Sequence, residues 1–165
     1  MAELTTAQLA TFKADIIANT NQAVIDALAA GAHNAIAAWY NGTASPDFYM
    51  FRTLVSPDEV GMVIELDDVA NMTTGDVEKL NSFFRLRPGG FSGNSLSDRA
   101  GFDDVLSSAA ADDSQQAIIA LWKRLATEAE KLFSTGAGVG TIGDPADSVL
   151  DGSVSSGDIT AALNS

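Results

Sequence analysis

Few residues in this chain have the type and spacing to do chemistry. His33 is the single histidine, and a general-base or zinc role would need a fixed partner, for which nearby Asp26 is the formal candidate. Its place beside Gly31, at a helix start, favours a surface or capping role. The acidic pairs Asp67-Asp68, Asp103-Asp104 and Asp112-Asp113 offer oxygen ligands to a divalent cation. None has the alternating ligands, central glycine and distal glutamate of a calcium loop, and adjacent side chains diverge, so capping and solvation account for them. Gly136-Ala137-Gly138-Val139-Gly140 has the glycine content of a phosphate cradle. Such cradles follow a strand and open a helix, whereas this run follows a helical pattern and leads into an acidic segment. No Gly-x-Ser-x-Gly elbow occurs, and Asn41-Gly42-Thr43 matters as a glycosylation acceptor only in a secreted chain.

Lys123, Arg124 and Lys131 stand among Glu128 and Glu130, with Arg124 and Glu128 at i,i+4 spacing. The plain reading is a salt-bridged exposed helix face, worth a few tenths of a kcal/mol per pair. The sharper one is a subunit interface, in which this cationic middle meets the acidic tail of the next copy in a ring. The chemistry-bearing residues therefore point toward binding and assembly, with no catalytic residue, cofactor or metal expected.

Composition agrees. With 165 residues and no cysteine, the chain is long enough for a core that needs no disulfide, and thiol chemistry is excluded. Its 27 alanines raise helix propensity more than they fill a core. A net charge of −13 argues against nucleic-acid binding, which needs Lys and Arg to replace condensed counterions. Past Lys131 the only charges are Asp144, Asp147, Asp151 and Asp158. No apolar run is long enough to span a membrane, and the start lacks the pattern of a secretory signal, so a soluble protein made in the cytoplasm is expected.

The elements that would carry these residues are mostly helices. Thr5 to Gln8 fits a capping box ahead of Leu9, Phe12 and Ile16, which predicts a helix to about Ala18. Helical stretches follow at 22–30 and 33–40, ended by Gly31 and Asn41-Gly42. Phe48 to Phe51 suits either a helix or an extended segment. Ser56-Pro57-Asp58-Glu59 is the clearest helix start, with Val60, Val63 and Ile64 on its buried side. Thr74 is expected to cap a helix carrying Val77, Leu80 and Phe84. Ser95 with Asp98 opens another whose Leu96, Phe102, Val105 and Leu106 face inward. The longest predicted helix runs from Asp113 to Phe133, with Ile118, Leu121, Leu125, Ala129 and Leu132 at steps of three or four. Beyond Gly136 a short β-like run at Val149-Leu150 and a helical turn at 158–163 are the only signals. The expected fold is mostly α: a helical bundle around one long helix in residues 1–135, then a glycine hinge and an extended C-terminal arm in residues 136–165.

Taken over nearly its full length, the chain resembles small virion proteins encoded near the capsid and portal genes of tailed bacteriophages. The resemblance lies in Leu4-Thr5-Thr6-Ala7-Gln8-Leu9-Ala10, in Ser45-Pro46 leading through an aromatic run to Arg52-Thr53, and in Leu96-Ser97-Asp98-Arg99 leading to Phe102. Its strongest part is Leu121-Trp122-Lys123-Arg124-Leu125-Ala126-Thr127 with Ala129 to Phe133, followed by glycines. The order of elements is similar to that of head-to-tail adaptors, the connector subunits of the phage neck. What the resemblance implies is a non-enzymatic subunit of a homo-oligomeric ring beneath the portal, joining capsid to tail and meeting a tail-proximal neck protein. It would be found in the virion, and in the host cytoplasm during assembly. An acidic channel would repel DNA phosphate and let the genome slide. A capsid-associated or decoration protein of the head is the alternative. In the adaptor reading, Val149, Leu150, Val154, Ile159 and Leu163 of the arm bind a neighbour, and Lys123, Arg124 and Lys131 complete the interface.

Overall fold

The computed structural model describes residues 4–106, 112–138, 145–148, 150 and 152–165. Its helices, in chain order, are α1 (Thr6–Ala18), α2 (Gln22–Ala29), α3 (His33–Tyr40), α4 (Pro57–Val63), α5 (Leu66–Asn71), α6 (Thr74–Leu86), α7 (Leu96–Leu106), α8 (Asp112–Leu121), α9 (Glu128–Leu132) and α10 (Ser156–Asn164). Among the described residues four short strands join them: β1 (Tyr49–Phe51), β2 (Lys123–Leu125), β3 (Ser134–Thr135) and β4 (Asp147–Ser148). The mostly α expectation is met. Two compact units divide the chain out of sequence order. Residues up to Phe48, from Leu125 to Gly138 and from Ala146 onward make the first, and the second is formed mainly by Tyr49–Arg124.

In the first unit the N-terminal box forms as expected: Thr5 N–H donates to Gln8 Oε1 at 2.8 Å and the Thr5 hydroxyl accepts from Gln8 N. That cap starts α1 so that Phe12 and Ile16 turn inward. Phe12 stands edge-on to Tyr40 at 4.8 Å and to Phe133 at 5.7 Å, an arrangement that matches ring edges to faces. Against these pack Leu150, Val154, Ile159 and Ala162, all buried. A second box, Ser155 with Asp158, starts α10, which lies against α1 and α3. Polar groups fasten the same segment. Asn41 receives Val154 N–H at 2.9 Å and donates to Val154 O at 2.8 Å, while His33 Nδ1 and Thr160 Oγ1 share a hydrogen bond of 2.8 Å.

The described residues after 145 are thus not an arm waiting for a neighbour, and the boundary expected at residue 136 does not divide the chain. Burying Leu150, Val154 and Ile159 on α1 and α3 satisfies within one chain the apolar demand that a partner would otherwise meet. Leu163 is half-buried against the same core. Val149 lies outside the described residues. Nor is Gly138 a simple hinge. Gly138 is buried with φ 63°, and a Cβ there would fall 2.1 Å from the Phe48 ring, so a side chain is barred by contact as well as by conformation.

The second unit is built on a smaller apolar centre. Val55 and Phe91 exchange two backbone hydrogen bonds of 2.8 Å, and Phe83, Phe84, Phe91, Phe102 and Trp122 stack edge to face around them. Ser56 caps α4 through the expected box with Glu59. Thr73, rather than Thr74, caps α6, because its hydroxyl is the one that reaches Asp76 N.

The predicted helix over 113–133 is interrupted. Helix α8 stops at Leu121, β2 pairs with β1, and a new box between Thr127 and Glu130 starts α9. Trp122 O accepts from Arg52 N at 2.7 Å and Ala126 N donates to Phe48 O at 2.8 Å, so backbone groups that a continuous helix would pair internally are paired across strands. The i,i+4 relation of Arg124 to Glu128 accordingly does not exist on a helix face. Leu125, expected in the apolar series of that helix, lies in β2 and is 43 % exposed.

Candidate functional site

The two acidic helices of the second unit present the most unusual surface. Glu59 ties back to Arg52 at 2.7 Å and accepts from Ser56 N at 2.9 Å. That cap bond, then the guanidinium, holds its carboxyl down at about 2. Asp68 Oδ2 accepts from Ser114 N and from Ser114 Oγ, and Ser114 Oγ in turn accepts from Glu65 N at 2.9 Å, so α5 is pinned to the start of α8. Between these anchored acids, Met62 and Leu66 are each 84 % exposed, the highest values of any large apolar side chain described. Leu54 and Leu86 are exposed as well.

A cavity of about 360 Å³ opens elsewhere on this unit. Phe51, Phe102, Ile118 and Trp122 form its walls, with Arg99 and Leu96 also lining it. Arg99 sits 4.2 Å from the Phe51 ring centroid and donates to Gly93 O. Leu96, expected to face inward, is 75 % exposed. Helix α7 starts on Ser95, but the Asp98 carboxylate leaves the cap. It is buried and receives Arg87 Nε and Ser92 N, both at 2.9 Å, so the loop before α7 is clamped and Leu96 is turned outward. The Trp122 indole N–H is buried without a hydrogen-bond partner.

In the first unit a wide polar groove runs past Asp15, Asn19, Trp39 and Glu128. Its polar atoms are largely committed to holding the fold. Tyr40 OH donates to Asp15 Oδ2 at 2.5 Å, Asn19 Nδ2 donates to Tyr40 OH, and Glu128 Oε1 accepts from Ser45 N at 2.8 Å. Burial, then the Asp15 carboxylate, pushes the Tyr40 phenol well above its ordinary value, which keeps it a proton donor.

The expected interface residues are not brought together. Leu150, Val154 and Ile159 are core, whereas Lys123 and Arg124 are half-exposed in β2. Lys131 donates to Ser45 O at 3.0 Å within its own unit. Asp158, one of the tail acids expected to meet those cations, is occupied in the α10 cap. His33 and Asp26 point to different partners, Thr160 and Gln22. Among the described residues no group of three His, Cys, Asp or Glu is placed to hold a metal ion, and no helix is long and apolar enough to cross a membrane. Sequence reasoning missed Met62 and Leu66, which stand among the acids at 58–68. No known protein family matches the chain, and no curated protein or solved structure matches it.

Proposed function

We propose that the chain is a non-enzymatic structural subunit of a tailed-bacteriophage virion, a head-to-tail adaptor that forms a ring beneath the portal. The observation that carries the assembly part of this proposal is the solvent-facing apolar set of the second unit, with Met62 and Leu66 foremost. A monomer gains nothing by holding large apolar groups in water, whereas a subunit interface buries them at roughly 25 cal/mol per Å². The adaptor part rests on the likeness of the sequence to neck proteins. Net charge of −13 suits a ring through which DNA passes, because phosphate is repelled from an acidic wall.

The C-terminal segment has no part in this version, since it completes its own unit. Contacts between copies, with the portal and with a tail-proximal protein fall instead to exposed surface. The test is to locate the chain in an averaged image of the whole particle and count its copies. A small fixed number at the neck supports the adaptor. Copies spread over the head in proportion to the capsid subunits would replace it with a decoration protein.

A further inference from the structure

We infer that the Met62/Leu66 corner of the second unit docks a basic amphipathic segment of another protein, whose apolar side chains cover Met62 and Leu66 while its Lys or Arg side chains meet the acids around them. The ring proposed above needs contacts between copies and contacts with other proteins, and this corner belongs to the second kind. The fold uses neither side chain. Val60 is fully buried on the inward side of α4 and Val63 packs on the same core, while Met62 is left in solvent. Helix α5 buries none of its residues. Its place is set instead by the fully buried Ser114, which donates to Asp68 from its N–H and its hydroxyl and accepts from Glu65 N–H. Leu66 is thus held outward by polar bonds rather than by packing of its own. A partner that covers the pair removes it from water at little ordering cost, because the backbone there is already fixed.

The charges around the corner give the partner its chemistry. Asp58 lies one helical turn before Met62, and Glu65 and Asp67 flank Leu66 in sequence. All three are exposed, and their carboxylates make no hydrogen bond or ion pair among the described residues. Glu59 and Asp68, by contrast, are taken up by Arg52 and Ser114. No Lys or Arg stands between Arg52 and Lys79 to balance the three. A second copy is poorly suited to do so. It carries the same net charge of −13, and six of its nine cations, Lys13, Arg52, Lys79, Arg87, Arg99 and Lys131, already hold partners in their own chain. A segment rich in Lys and Arg meets the open carboxylates with opposite charge, which steers its approach and fixes its register on the corner. Its apolar side chains then reach Met62, whose flexible thioether adapts to their shape.

The probe is a Leu/Lys peptide patterned as an amphipathic helix, titrated into the full chain by calorimetry. Its controls are a peptide of the same composition in scrambled order and one with Glu in place of Lys. The probe should bind with saturation, and Met62→Ser/Leu66→Ser should weaken it about tenfold or more with unchanged circular dichroism. Met62→Leu/Leu66→Met should bind as the parent does. Asp58→Asn/Glu65→Gln/Asp67→Asn should weaken binding at low salt and flatten its salt dependence, whereas Asp26→Asn/Asp47→Asn/Asp147→Asn, an equal charge change in the first unit, should not. Equal affinity for the scrambled peptide would show attraction to overall charge alone and overturn the inference. So would failure of the probe to bind, or binding untouched by Met62→Ser/Leu66→Ser. Loss of self-association in that variant, read by sedimentation, would make the corner a contact between copies and overturn it as well. The count of copies at the neck tests the ring separately.

Discussion

At Glu59 a single carboxylate joins two jobs, completing the α4 cap and pairing with Arg52. Its acidity in the folded protein, about 2 against an ordinary 4.5, makes it a sensor of acid stability. The folded value is the depressed one, so the contribution is complete above pH 4.5 and disappears as pH falls through about 2. Glu59→Gln should therefore melt lower than the parent near neutrality, and the two thermal midpoints should converge as pH approaches 2. Parallel pH profiles would mean that Glu59 contributes no such linkage. Single residues were the most legible level of the sequence wherever a rule was local. The Thr5 and Ser56 boxes form as their spacing demands, because a cap needs only its own four residues. Leu96 was misjudged because its direction is set by Asp98 reaching Arg87 and Ser92, neither within the helix it starts.

Elements were legible where periodicity had no rival. Helix α1 and helix α3 keep their predicted extents, whereas the span from Asp113 to Phe133 satisfies helical spacing and still breaks. Two competing signals decide it: the Thr127-Glu130 box restarts a helix, and β1 supplies an alternative set of backbone partners. The second signal lies some seventy residues away in sequence, at Tyr49–Phe51, where no local pattern could expose it. Thr127→Ala should cost about 1 kcal/mol of stability, measured by chemical denaturation. Helix α10 carries more. Ile159 is fully buried, so Ile159→Ala should cost roughly 3 kcal/mol, and deletion of residues 140–165 should remove helical signal by far-ultraviolet circular dichroism rather than leave an intact body. A truncated protein with an undiminished thermal transition would refute that placement of the helix.

For the whole molecule, the sequence conveyed charge and helical content, but not the division into units. Contiguous residues were taken to share a core, yet the helices at both ends of the chain do so while the middle builds another. Each unit holds one tryptophan, Trp39 in the first and Trp122 in the second, so the two can be followed apart. With Trp122→Phe the remaining fluorescence reports the first unit, and with Trp39→Phe the second. Adding Ile159→Ala should lower the midpoint read through Trp39 by more than that read through Trp122. Equal shifts would show that the two halves melt as one.

The discontinuous first unit also sets an order of events on the ribosome. Helices α1 to α3 emerge before Phe133, Leu150 and Ile159, so they can find no settled core until α10 is translated. At roughly 5–20 residues per second that wait lasts on the order of ten seconds, during which the inserted segment is free to mature first. For that interval Phe12 and Ile36 are exposed to chaperones and to sister nascent chains on the same message, and polysome crowding becomes the hazard this topology carries.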